Sequence, residues 1–199
     1  LGLRIDVDTF RGTRGGVPTL CRILDQRGLK GTFFFTLGPD NMGRHLFRLL
    51  RPTFLRKMMR TRAGSLYGWS IVFRGTVWPG PLIGRRLAPV IRSAATGGHE
   101  IGVHAWDHHR WQVAVDRMGA DALAGEIQSA FEALSEIIGR EPDCSAAAGW
   151  RCTDEVLRIK ERFPFRYNSD CRGLMGPFRP VVDGDLLSQP QVPVTLPTW

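Results

Sequence analysis

Leu3-Arg4-Ile5-Asp6-Val7-Asp8 alternates apolar and polar residues with a period of two, the pattern of a strand with one buried face. Pro18 suits a first helical turn, Leu20, Ile23 and Leu24 supply an apolar stripe, and Gly28 suits the stop, which predicts a helix after that strand. Gly31 to Thr36 holds Phe33, Phe34 and Phe35 in a row and predicts a short buried strand. Further along, Leu87 to Thr96 reads as a helix ending at Gly97-Gly98, and Glu100 to Val103 as a strand running into His104. Between Asp121 and Ile138 the residues Leu123, Ile127, Phe131, Leu134 and Ile138 share one helical face, with Gly139 as the stop. Cys144 to Ala148 predicts a strand, Thr153 caps a helix through Glu161, and Phe165 to Asn168 predicts another strand. A last strand is expected over Val192 to Leu196, irregular or at an edge because of Pro193. Strands and helices alternate, so the expected class is α/β with a mostly parallel sheet, open or closed into a barrel.

The 199 residues fit one domain, and 43% hydrophobic residues suffice for a core. No apolar run approaches the ~20 residues of a membrane-spanning helix. Opening at Leu1 inside a strand pattern and stopping at Trp199, the chain reads as a fragment truncated at its C-terminal end. Cys21, Cys144, Cys152 and Cys171 form no C-x-x-C pair, so zinc-finger and thioredoxin-like readings lack support.

The net charge of +8 is unevenly spread. Eleven of the 27 basic residues lie between Asn41 and Arg92, a stretch without Asp or Glu, and the remainder sets 16 basic against 19 acidic residues. Within that stretch Phe54, Leu55, Met58 and Met59 share a helical face beside Arg56, Lys57 and Arg60, while Pro52 separates an earlier piece with Leu46, Phe47, Leu49 and Leu50. Two short basic amphipathic helices of this kind would lie on an anionic bilayer, with Trp69 and Trp78 as interfacial anchors. The plainer alternative is an insertion packed on the domain with a solvated basic face. A non-catalytic, nucleic-acid-binding domain is the reading that net charge alone would suggest, but no recognised nucleic-acid motif accompanies it.

Two motifs carry chemistry. Asp6 and Asp8 stand two apart at a strand end, on one face, where two crowded carboxylates call for a cation or a shared proton. One could bind a divalent metal and the other act as base; alternatively Asp8-Thr9 caps the following turn. His104 and His108 stand four apart, which on a helical turn brings both imidazoles to one metal ion, with Asp107 or a backbone carbonyl orienting a ring. Trp106 and Trp111 could wall such a site or merely pack. Both motifs follow predicted strands, whose ends in a parallel α/β fold share one edge. Together they offer an Asp-His-His set with open positions, suited to zinc, iron, cobalt or manganese. Asn168-Ser169-Asp170 occupies another strand end, as sugar-pocket lining or as a structural turn.

The Asp-x-Asp at the first strand end followed by His-x-x-x-His resembles the polysaccharide deacetylase family. The stretches IDVDTFRGTRGGVP, FFFTLGPDNMGRHL, SLYGW, HAWDHHRWQ, CSAAAGWR, RYNSDCRG and QVPVTLPTW resemble, within it, deformylases of a formamido-arabinose carried on undecaprenyl phosphate. The resemblance implies a distorted (β/α) barrel and one catalytic domain over 1–199, within which the charge and apolar pattern sets a basic amphipathic insertion at 41–86. It implies Asp8, His104 and His108 as ligands of one divalent metal (zinc, manganese or cobalt), Asp6 as general base, and Arg151 of Gly149-Trp150-Arg151 as the partner of Asp6. Trp106, Asn168, Ser169 and Asp170 would contact the sugar, and Phe54, Leu55, Met58, Met59 and Trp69 the membrane. The family's late Leu-x-His motif, with its general acid, is not found; no histidine follows His109. The implied setting is the cytoplasmic face of the bacterial inner membrane, in lipid A modification with aminoarabinose and polymyxin resistance, with no nucleic-acid partner. A sugar or peptidoglycan N-deacetylase with the same metal site is the nearest alternative.

Overall fold

The computed structural model describes residues 2–44, 80–174 and 176–196. Its centre is a five-stranded sheet of β1 (Arg4–Val7), β2 (Thr32–Thr36), β3 (Glu100–Ala105), β4 (Cys144–Ser145) and β5 (Tyr167–Asn168), paired in chain order. Every pairing is parallel. An all-parallel sheet laid down in chain order, with crossovers of one hand, carries its helices on a single face. Here these are α1 (Val17–Gln26), α2 (Ile83–Thr96), α4 (Ala120–Ile138) and α5 (Asp154–Lys160), while α3 (His108–Ala114) follows β3 directly.

The period of two divides the sheet. Val7, Phe33, Phe35, Ile101 and Val103 pack against Leu24 of α1, Ile91 and Ala94 of α2, Leu123, Ile127, Ala130 and Leu134 of α4, and Val156 and Ile159 of α5. Burying each of these larger side chains contributes about 1.5–3 kcal/mol. On the other face Phe34, Cys144 and Ala146 form a small cluster with Tyr167 against it. Gly102 lies beside Phe34 in the register, and a Cβ there would stand 2.6 Å from the Phe34 ring. Arg4, Asp6, Gly102 and His104 alternate with the helix-facing residues, so the second face carries the polar chemistry.

The helix predicted from Leu87 begins four residues earlier, at Ile83. Leu87 itself sits at a kink (φ −117°) two residues before Pro89, whose ring cannot continue a regular turn. The predicted β4 closes after Ser145 into a 3-10 turn at Ala148–Trp150. Val192 to Leu196 forms no regular strand; single bridges join Asn168 to Gln191 and Arg172 to Val194, and Pro193 denies the ladder a donor between them. A π turn at Gly12–Gly16, helix α3, and a hairpin of β6 (Val181–Val182) and β7 (Asp185–Leu186) have no counterpart in the sequence reading. Asp183 and Gly184 both have positive φ, 51° and 88°, as a tight two-residue hairpin turn requires. No helix among the described residues is long and apolar enough to cross a membrane.

Candidate metal centre

The turn after β1 is closed by Thr9, whose hydroxyl accepts the Gly12 N–H at 3.0 Å. Asp8 is thereby not needed as a cap, and its carboxylate turns to the histidines. Asp8 Oδ1 lies 3.2 Å from His104 Nε2, and Asp8 Oδ2 lies 3.5 Å from His108 Nε2. One donor atom from each of the three falls within 4.8 Å of the others. Both histidines are buried, with ring centroids 5.4 Å apart.

The histidines do not share one helix face, as the spacing of four suggests. His104 is still in β3 and His108 is the first residue of α3, so the rings meet across the strand-to-helix turn. The β2–β3 register slips between Phe35 and Thr36: Phe35 faces Val103 and Thr36 faces Ala105, leaving His104 as the extra residue. Such a bulge re-aims a side chain. Asp107 N-caps α3 by accepting the Arg110 N–H at 3.0 Å.

Hydrogen bonding decides what the centre can hold. His104 Nδ1 lies 2.9 Å from the Ala146 carbonyl oxygen, which can only accept, so Nδ1 carries the proton. In the neutral ring Nε2 then presents a lone pair to a carboxylate oxygen 3.2 Å away. Two acceptors facing one another in a buried setting require a proton or a cation between them. Among the described residues, nothing donates a hydrogen bond to the buried Asp8 Oδ1. For His104, burial favours the neutral ring, but the contact with Asp8 outweighs it and raises the pKa above 6.5. For Asp8, burial pushes upward, yet the two histidines and Arg4 hold the carboxyl down at about 2. An oxygen and two imidazole nitrogens, with one ring oriented by a carbonyl, fit a divalent ion of the zinc, manganese or cobalt kind.

Asp6 is held from its own strand. Arg4 donates from Nε to Asp6 Oδ1 at 2.7 Å and from the guanidinium NH2 nitrogen to Oδ2 at 2.8 Å. The Arg4 guanidinium also donates to the Ser169 carbonyl and to Ser169 Oγ at 3.1 Å. It lies over the Trp150 ring, 3.9 Å from the centroid. Arg151 is not the partner of Asp6: its guanidinium pairs with Asp116, and its carbonyl accepts from Trp111 Nε1 at 2.9 Å. The physical reason is the paired left-handed conformation of Gly149 (φ 61°) and Trp150 (φ 59°). That turn places Trp150 under Arg4 and leaves Arg151 beside Asp116. The period of two already put Arg4 on the face of Asp6, a signal the sequence reading passed over.

Asn168, Ser169 and Asp170 lie in a buried network. Asn168 Nδ2 donates to Gln189 Oε1 at 2.7 Å, and Ser169 Oγ donates to the Val192 carbonyl at 2.7 Å. Asp170 accepts from Lys160 Nζ at 2.6 Å, from the Ala147 N–H at 2.7 Å and from Gln191 Nε2 at 2.9 Å. These side chains are committed to joining β4, β5 and α5, the structural alternative left open for them. Trp106 is half-buried against Gly38, and Trp111 is buried in the helix-side core. Phe54, Leu55, Met58, Met59 and Trp69 lie outside the described residues, as does most of 41–86. At the opposite sheet edge Glu100, Asp143 and Cys144 also converge. There burial pushes the Cys144 thiol up to about 12, and Glu100 is already taken by Thr32 and Tyr167.

The sequence profile described as Polysaccharide deacetylase matches residues 7–168. The chain is 56% identical over all its 199 residues to a Shewanella sediminis protein named a probable 4-deoxy-4-formamido-L-arabinose-phosphoundecaprenol deformylase. It is 44% identical over 189 residues, 94% of its length, to a Wigglesworthia glossinidia brevipalpis protein of the same name. The chain spans 64% and 65% of the lengths of these two relatives. Among solved structures, one of a polysaccharide deacetylase from Mycobacterium smegmatis superposes with a TM-score of 0.65 at 22% identity, covering 98% of this chain and 58% of that one, a likeness of fold.

Proposed function

The chain belongs to the polysaccharide deacetylase family, and from that membership and the Asp8-His104-His108 cluster we propose that it hydrolyses the formamide of 4-deoxy-4-formamido-L-arabinose carried on undecaprenyl phosphate. The products are formate and the free aminoarabinose lipid, which would serve lipid A modification and polymyxin resistance. The observation that carries the reading is the 56% identity, over the full length of the chain, to a relative bearing that name. In the same reading the sheet is the described part of a distorted (β/α) barrel.

A divalent ion held by Asp8, His104 and His108 would supply Lewis acidity toward the formamide oxygen and toward water. Asp6 is the base: it takes a proton from the water that attacks the formyl carbon. Arg4 fixes the direction of the Asp6 oxygens through the two-pronged contact. As the C–N bond breaks, the amine takes up one proton, and the protonated Asp6 is the group in this chain that has just gained one. Exposed on the second face of the sheet, Asp6 is open to an incoming substrate.

The lipid carrier must be met at a bilayer. The basic and apolar pattern of Phe54, Leu55, Met58, Met59 and Trp69 within 41–86 supports peripheral attachment at the anionic cytoplasmic face of the inner membrane. Deleting residues 41–62 should then release the protein from anionic liposomes, and undiminished binding would remove this part of the reading.

The activity is tested by following formate release from a synthetic polyprenyl-phosphate-linked formamido-arabinose, with metal content measured on the same sample. About one divalent ion per chain and formate release that vanishes in His104→Ala is the expected result. Metal-loaded protein that frees acetate from acetylated oligosaccharides but no formate from the lipid-linked sugar would instead establish an N-deacetylase.

A further inference from the structure

Two of the three candidate ligands, Asp8 and His108, sit on turns that leave different strands, and β2 lies between those strands. The separation of the turns is therefore set by whatever spans the end of β2. That segment is Leu37 to Asn41. Leu37 N–H donates to the Ala105 carbonyl at 3.1 Å and Gly38 N–H to the Trp106 carbonyl at 2.9 Å, so the exit from β2 runs alongside the turn between the histidines. The contact is close enough that a Cβ on Gly38 would stand 2.5 Å from the Trp106 oxygen. On its other side the segment is stapled to the start of α2: Ile83 N–H donates to Gly38 O at 2.9 Å and Gly84 N–H to Leu37 O at 2.7 Å. A Cβ on Gly80 would fall on the Asp40 carbonyl.

From this anchored segment two consecutive side chains reach in opposite directions. Asp40 Oδ2 accepts the Phe10 N–H at 2.8 Å, gripping the turn two residues beyond Asp8. Asn41 Nδ2 donates to Asp107 Oδ2 at 2.6 Å, gripping the residue immediately before His108. Asn41 and Asp107 are 5% and 7% exposed, so that bond is shielded from competing water. The other oxygen of Asp107 caps α3, and its N–H donates to Glu126 Oε2 at 3.3 Å, which leaves the residue before His108 little freedom. Neither Asp40 nor Asn41 belongs to the converging donor set.

We propose that Asp40 and Asn41 are positioning residues of the metal centre, a two-sided brace that fixes the distance between the Asp8 turn and the His108 turn. The inference rests on the reading of Asp8, His104 and His108 as metal ligands. Partners outside the ligand set that orient the ligands typically account for a ten- to hundredfold part of metal affinity.

The test uses Co2+ as probe, with affinity from competition against a chelator and geometry from the visible absorption spectrum. Asp40→Ala and Asn41→Ala should each bind Co2+ roughly tenfold more weakly or worse, with an altered spectrum. Asp40→Asn, which keeps an oxygen to accept the Phe10 N–H, should stay near the unsubstituted protein. Asn41→Asp, which sets a second carboxylate against Asp107, should bind no better than Asn41→Ala. Thermal melts of the metal-free variants separate this effect from general loosening; should Asn41→Ala fail to fold, the half-buried Asp40 pair carries the comparison alone. Unchanged Co2+ affinity and spectrum in both alanine variants would overturn the brace while leaving the metal reading intact. Absence of Co2+ binding by the unsubstituted protein would overturn both.

Discussion

Arg4 and Asp6, two residues apart on β1, are joined by parallel hydrogen bonds of 2.7 and 2.8 Å. A guanidinium presents two donors in a fixed plane and an ammonium does not, so the pair is not interchangeable with Lys and Asp. Arg4→Lys should keep the charge and lose the alignment of Asp6. The expected outcome is a fall in kcat of roughly 10²-fold with KM little changed, the scale on which a misplaced catalytic group costs. Elemental analysis should find the metal content unaltered. Loss of metal together with activity would show that Arg4 supports the whole centre instead.

The Asp8–His104 contact carries a pH signature. Folding raises the His104 pKa, so its contribution to stability is full below the ordinary 6.5 and is lost as pH rises through the raised value. Folding lowers the Asp8 pKa to about 2, so its contribution is present above 3.8 and is lost as pH falls toward 2. The pair thus stabilises the metal-free protein most between about 3.8 and 6.5. A metal ion held there would compete with the proton at His104 Nε2, so its binding would weaken in acid. Thermal melts with and without Zn2+ from pH 5 to 9 should show a metal-dependent gain that grows with pH. A gain independent of pH would exclude competition between proton and metal at His104.

Much of this centre could be read before the structure, for a physical reason. Asp8 and His104 sit at the ends of β1 and β3, and those strands announce themselves through alternation and apolar runs, so their ends could be placed on one edge. Asn168 to Asp170 also sit at a strand end, and there the same logic left sugar-pocket lining and a structural turn open, where the structure has a buried network. Partners remote in sequence, Lys160, Gln189 and Gln191, complete that network, and no local pattern announces them. Asp40 and Asn41 carry no local signal of this role; their reach to Phe10 and Asp107 depends on β2 lying between β1 and β3. By contrast, Asp183-Gly184 is a hairpin-forming dipeptide, and the two-residue strands beside it are too short to show alternation.

Lys160 and Asp170 form a buried ion pair at 2.6 Å, with side chains 3% and 2% exposed. Replacing Lys160 by Met leaves the Asp170 carboxylate in the interior without its cation, held by neutral donors such as the Ala147 N–H and the Gln191 amide. Denaturant unfolding of Lys160→Met should show a loss of about 3–5 kcal/mol. Adding Asp170→Asn, which removes the orphaned charge, should recover part of that loss. If the double variant is less stable than Lys160→Met, the carboxylate is worth more to the network as an acceptor than it costs as an unpaired charge.

Gly102 is a position where the fold leaves no room for a side chain, and it lies two residues before His104. A Cβ there would stand 2.6 Å from the Phe34 ring and 2.7 Å from Cys144 Sγ, and neither neighbour can retreat, because both are buried. The backbone conformation is ordinary, so the cost of Gly102→Ala is one of space. Overpacking of this kind costs about 1–3 kcal/mol, measurable by denaturant unfolding. Relief requires β3 to move away from β2 and β4, and the bulge that aims His104 is the next step along that strand. Gly102→Ala should therefore weaken Co2+ binding as well as lower stability. Gly102→Ala with Phe34→Leu, which shortens the obstructing side chain, should restore both in part. Recovery of stability without recovery of Co2+ binding would mean that Phe34 itself helps to set the position of His104.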